Sequence, residues 1–165
     1  MREIIEFYEL VDDVYNREKE YFTVLMGDWN AIVGKDSMNG TNIGKFCEGR
    51  TNESGNKLVE MMSKNNLKLA SSFFYKKEGR KWTWKSPDGR TRSALDHIII
   101  NDNRIVKNVQ TLPSFRFSSD HRLCRCRIEI PRRIRTMNFM KSEKGAGFIV
   151  PVHKNQELNV RIESE

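Results

Sequence analysis

No stretch of this sequence approaches the run of about eighteen apolar residues that a membrane-spanning helix needs, and the mean hydropathy is −0.66. The first twenty residues have no basic head followed by an apolar block; they are acidic and amphipathic, which reads against a secretory leader. Cysteine is scarce: there are three, Cys47, Cys124 and Cys126. An odd number supplies no disulfide framework, and Cys-x-Cys without a second pair or a spaced histidine makes no zinc site. Alternating with Arg125 and Arg127, Cys124 and Cys126 fit the buried face of a strand. The expectation is an intracellular protein, nuclear rather than cytoplasmic, with no membrane partner.

Charge is plentiful but unevenly placed. Residues 1–30 hold three basic and eight acidic side chains, whereas residues 31–130 hold nineteen basic and ten acidic, within a net charge of +7. The positive middle points to a polyanion, nucleic acid above all, because phosphate neutralisation supplies most non-specific binding. The 165 residues suffice for one ordinary domain with a core.

Along the chain, Ile4, Tyr8, Val11 and Tyr15 recur on one helical stripe, with Phe7, Leu10 and Val14 beside it. "YFTVLMG" reads as a buried strand stopped by Gly27. "IVGKDSMNGTNIGKFCEGRTNESG" holds five glycines and predicts a long loop. A second helix follows, capped by Asn52 or Ser54 and carrying Leu58, Met61 and Met62. "LKLASSFF", "RKWTWKS", "ALDHIIIN", "VKNVQTL" and "RLCRCRIEI" read as strands, with "SPDGRTR" as a turn. Residues 131–165 lose sustained periodicity and predict a mostly disordered basic tail or linker beyond a domain over 1–130, although Phe148 to Val152 could pack locally.

Four motifs begin or end strands: "GDWN" at 27–30, "WTWKSPDG" at 82–89, "ALDHI" at 94–98 and "SSDH" at 118–121. Each alone is weak, since an acid at a strand end can form a turn and a lone histidine is usually structural. Together they place Asp28, Asn30, Asp96, Asp120 and His121 where a sheet would gather them on one rim. If Asp28-Trp29-Asn30 is extended, the acid and amide share a face and Trp29 packs the other way. His97 alternates with Asp96 and points away from it. Trp82, Trp84 and Arg90 read either as strand residues or as groups that stack on bases and contact nucleic acid; Arg116 reads as a phosphate contact or as part of a solvated basic loop.

These motifs, in this order, resemble the endonuclease/exonuclease/phosphatase superfamily with its DNase I-like fold, and most closely the apurinic-endonuclease-like domain of non-LTR retrotransposons. The resemblance covers roughly residues 20–130. It implies an α/β chain forming the C-terminal half of a four-layer α/β/β/α sandwich, and a metal-dependent DNA endonuclease. By the same resemblance Asp28 orients or deprotonates water, Asn30 binds the scissile phosphate, and Asp120 helps hold Mg²⁺ or Mn²⁺. His121 contacts the phosphate and Asp96 fixes its tautomer, which suits a reaction that builds charge on phosphoryl oxygens.

The superfamily's first half also supplies an Asn, a metal-binding Glu and a Tyr that have no counterpart in these residues. This implies weak or no catalysis in a truncated chain, and a sheet whose uncovered apolar face invites self-association. The parent element would add a polymerase domain. The alternatives are a catalytically dead nucleic-acid-binding remnant and a phosphatase acting on phosphoinositides or sphingolipids.

Overall fold

The computed structural model describes residues 2–113, 119–130 and 148–149. Helix α1 spans Arg2–Glu18, strand β1 Val24–Asp28, and helix α2 Glu53–Lys64. The remaining strands are β2 Lys68–Leu69, β3 Trp84–Lys85, β4 Arg92–Ser93, β5 Asp96–Ile100, β6 Val106–Leu112, β7 Leu123–Ile128 and β8 Phe148–Ile149. The main sheet runs β2-β5-β1-β8, with β5 antiparallel to both β1 and β2. β3 pairs with β4, and β6 pairs with β7.

β1 and β5 read as nearly continuous apolar runs because both of their faces are covered. Alternate side chains point to opposite sides of a strand. Leu25, Leu69 and Ile99 therefore join Tyr8, Val11 and Tyr15 of α1 and Leu58, Met61 and Met62 of α2 in one core. Val24, Ile98 and Ile100 enter a second core with Val106 and Val109 of β6, against which Cys124 and Cys126 of β7 pack. The uncovered sheet face expected from the sequence is thus not found: the β6–β7 ribbon lies over it as a further layer. The stripe residues of α1 fall as their spacing requires, while Leu10 is 62% exposed.

Asp12 joins the two helices. It is buried, accepts from Lys64 Nζ at 2.6 Å and from the Asn65 side chain, and has Asn16 beside it. Burial alone would raise its pKa, but hydrogen bonds from Lys64 and the two asparagines hold it below the ordinary carboxylate value. Asn52 caps α2, its side chain accepting from Gly55 N at 2.7 Å and from Ile32 N at 2.9 Å. That second bond ties the loop after β1 to the helix start. Gly55 has no freedom to change, since a Cβ there would lie 2.0 Å from the Ile32 carbonyl oxygen.

Two local expectations need correction. "LKLASSFF" is a two-residue strand followed by a 3-10 turn at Ala70–Phe73. The Ser72 hydroxyl donates to the Leu69 carbonyl at 2.6 Å and accepts from Gly44 N at 2.8 Å, drawing the backbone out of the ladder. "RKWTWKS" contributes only Trp84–Lys85, after a 3-10 turn at Glu78–Arg80. Of the tail at 131–165, only Phe148–Ile149 is described, and it is a strand parallel to β1 at Val24 and Leu25; the rest lies outside the described residues. Among the described residues no helix is long and apolar enough to cross a membrane.

Candidate active site

The register of the main sheet sets Asp28 directly opposite Asp96 at its rim. Two carboxylates facing each other across an antiparallel pair repel. The compensation comes from the other layer, where His121 sits just before β7. Its Nδ1 lies 2.9 Å from Asp96 Oδ2 and its Nε2 3.9 Å from Asp28 Oδ2. All three side chains are largely enclosed, at 15% exposure for His121, 16% for Asp96 and 23% for Asp28.

The hydrogen bond to Asp96 does most to raise the His121 pKa; burial opposes it, and the charges of Asp96, Asp28 and Asp120 add to the rise. A pKa raised in the folded state contributes stability that is complete below the unfolded value of about 6.5 and is lost as pH climbs through the folded value. Urea unfolding of the wild type and of Asp96→Asn should therefore differ most below about pH 6 and draw together at higher pH. A gap independent of pH would contradict the pairing.

Each partner is held by the local fold. The Thr83 hydroxyl, itself buried, accepts from the backbone N–H of Leu95 at 2.9 Å and of Asp96 at 3.0 Å, fixing the start of β5. The segment carrying Asp120 and His121 docks on β3 as a strand: Lys85 N donates to the Asp120 carbonyl at 3.1 Å and Arg122 N to the Thr83 carbonyl at 2.7 Å. Asp120 is exposed, yet its Oδ2 accepts from the Trp84 indole N–H at 2.8 Å. Trp84 is half-buried with its polar atom spent on the acid. Trp84→Phe, which keeps the six-membered ring and removes the donor, should cost no more than about 1.5–3 kcal/mol of stability, the range of one hydrogen bond to a charged group. Thermal melts of the two proteins check this.

Asn30 departs from the extended reading of Asp28-Trp29-Asn30. β1 ends at Asp28, and Asn30 adopts φ 47° because its backbone N–H donates to Asp28 Oδ1 at 2.9 Å, a local turn of the kind aspartate favours. The Asn30 side chain is exposed beside the acid. Trp29 is 2% exposed, stacks on Tyr8 and donates its indole N–H to the His97 carbonyl at 3.1 Å. His97 lies on the opposite face from Asp96, its Nε2 2.7 Å from the Ala31 carbonyl, and burial lowers its pKa and keeps the ring neutral.

Asp28, Asn30, Asp96, Asp120 and His121 therefore come together at one rim. Arg90 does not join them: it lies exposed at the tip of the β3–β4 turn, where its N–H donates to Asp88 Oδ1 at 3.1 Å. Arg116 lies outside the described residues. Sequence reasoning missed the positioning role of Thr83 and the bond from Trp84 to Asp120. Among the described residues no cluster of three or more His, Cys, Asp or Glu side chains is spaced to hold a metal ion. The exposed carboxylate of Asp120 is a donor of the kind Mg²⁺ accepts when one or two carboxylates share it with water and a substrate phosphate.

This mixed α/β domain, with its aspartate-histidine pair at the rim of the main sheet, is of the DNase I-like class. The model of a family described as endonuclease-reverse transcriptase matches residues 3–125. The chain is 33% identical over 135 residues to Craniofacial development protein 2 of Tragulus javanicus and, equally, to that of Bos taurus. These matches cover 80% of this chain and 23% of each relative, so the chain spans less than a quarter of their length. It belongs to the endonuclease-reverse transcriptase family within the endonuclease/exonuclease/phosphatase superfamily.

Proposed function

We propose that this chain is a Mg²⁺-dependent phosphodiesterase of the DNA endonuclease type, of retrotransposon origin, slow in the chain as it stands. The observation that carries the reading is His121 lying between two carboxylates, bonded to one and facing the other. An imidazole held in this way offers an N–H to a phosphoryl oxygen with its tautomer fixed by the acid behind it. Asp28, on the far side of that ring, is the group placed to orient or deprotonate water, and its neighbour Asn30 offers an amide to the same phosphate. Asp120, steadied by Trp84, has its second oxygen available to a cation. Asp120 would hold Mg²⁺ together with the substrate phosphate, and the ion would supply neutralisation of the charge that develops on the phosphoryl oxygens. The reaction is slow because a single carboxylate is a sparse donor set.

The basic side chains of residues 31–130 favour DNA over a small or lipid phosphate. A supercoiled-plasmid nicking assay in Mg²⁺ tests the reading. Slow nicking is expected that stops with chelation and falls about tenfold or more in Asp120→Ala, the loss of one group acting on transition-state charge. Plasmid binding without nicking in the wild type would instead favour the second reading, a catalytically dead nucleic-acid-binding remnant, and phosphate release from inositol phosphates without nicking would favour the phosphatase.

A further inference from the structure

Away from the rim, two aromatic side chains stand in solvent and touch each other. Phe46 is 37% exposed and Tyr75 73% exposed, their ring centroids 5.9 Å apart and their planes at 72°. They come from loops pressed together backbone to backbone. Phe46 N donates to the Ser72 carbonyl at 3.0 Å, and a Cβ on Gly44 would lie 2.6 Å from that same oxygen. The pair is therefore mounted on a stiff support, so ordering it on binding costs little.

The surroundings are cationic. Lys45 Nζ lies 5.2 Å from the Phe46 ring centroid. Lys77 and Arg80 are exposed, and neither makes an ion pair among the described residues. The acids nearby, Glu48 and Glu78, are both engaged by Lys81. The strip also reaches the rim. Arg122, which follows His121, donates from Nη1 to the Gly79 carbonyl at 2.7 Å and lies 3.0 Å from the centroid of Trp82, whose other cationic neighbour is Arg92 at 5.1 Å.

We infer that Phe46 and Tyr75 form a stacking platform for unpaired bases of a single-stranded nucleic acid, with Lys45, Lys77 and Arg80 engaging its phosphates. An exposed aromatic face accepts any base by stacking, but only when that base is free of its duplex partner. Charge decides the occupant: the four cations Lys45, Lys77, Arg80 and Lys81 outnumber the two acids Glu48 and Glu78, and that surplus complements a polyanion. This inference rests on the nucleic-acid reading of the rim and extends it to a strand lying beside the cleavage point.

The test measures fluorescence anisotropy of a labelled oligodeoxythymidine of about 16 nucleotides, the upper end of single-strand site sizes, and of a duplex of equal length. The full chain is used, in EDTA. Phe46→Ala and Tyr75→Ala should each weaken single-strand binding about tenfold and leave duplex binding within about twofold, while Tyr75→Phe, which keeps the ring, retains affinity. Equal loss on both ligands, or no loss on either, overturns the inference. So does a shift from dimer to monomer in sedimentation of the alanine variants, which would make the pair a contact between copies. Nicking by the same wild-type preparation separates the two claims: if it nicks and single-strand binding depends on Tyr75, both hold; if it never nicks but binding still depends on Tyr75, only the reading of the rim fails.

Discussion

His121→Ala is expected to lower Mg²⁺-dependent nicking about a hundredfold or more, and Asp96→Asn to lower it about tenfold to a hundredfold with little change in affinity for DNA. The ring contributes in two ways. It presents Nε2 to the space shared with Asp28 and carries charge toward a phosphoryl oxygen, and both depend on the Nδ1 contact with Asp96. Removing the ring deletes the group aimed at developing charge and leaves Asp28 and Asp96 opposite each other with nothing between. Changing Asp96 to the amide keeps the shape but replaces the ionised acceptor, weakening the hydrogen bond and removing the charge that together raise the His121 pKa. The pH profile should move as well: activity that depends on the imidazolium extends to higher pH in the wild type than in Asp96→Asn. Single-turnover nicking of both variants across pH checks each part, and wild-type rates in His121→Ala would remove His121 from the chemistry.

Trp29→Ala is expected to destabilise the fold by about 3–5 kcal/mol, the usual cost of truncating a buried aromatic. Trp29 is 2% exposed, stacks on Tyr8 at 6.2 Å between centroids, and meets the edge of Phe7 at 6.2 Å. Its indole N–H satisfies the His97 carbonyl, which would lose that donor. A domain of this size is stable by about 5–15 kcal/mol, so the substitution removes a large share of the total. Trp29→Phe keeps the six-membered ring and loses the pyrrole atoms with the donor, at a smaller cost of about 2–3 kcal/mol. Urea titrations of the three proteins measure this, and a Trp29→Ala midpoint equal to that of the wild type would show that the ring is not a core element. Because Trp29 sits between Asp28 and Asn30, the same packing that stabilises the domain also positions the rim.

The sequence made some of this legible and concealed the rest for identifiable reasons. β1 and β5 could be read from composition because an apolar run between polar motifs has little choice but to be buried. The inward Trp29 and the opposed faces of Asp96 and His97 follow from alternation along a strand. The shape of "GDWN" did not follow: a side chain of the motif, Asp28, captures the backbone N–H of Asn30 and bends it into the left-handed region. The bond from Trp84 to Asp120 links residues 36 apart and exists only because the segment before β7 docks on β3. Thr83 acts through a hydroxyl on backbone N–H groups twelve and thirteen residues ahead, a role that no local pattern announces. The destination of β6 and β7 was hidden as well. Their alternation says that one face is buried, and only the assembled fold shows that they cover the second face of the main sheet.

A phosphodiester is proposed to lodge where Asp28, Asn30, Asp96, Asp120 and His121 meet. Titrating ¹⁵N-labelled protein with a short duplex whose phosphates are replaced by phosphorothioates, which resist cleavage, tests it through the His121 ring and the Trp84 indole N–H. Saturable shifts are expected at those two groups, while the buried rings of His97 and Trp29 stay in place. Saturable binding that leaves His121 and Trp84 unmoved would contradict it.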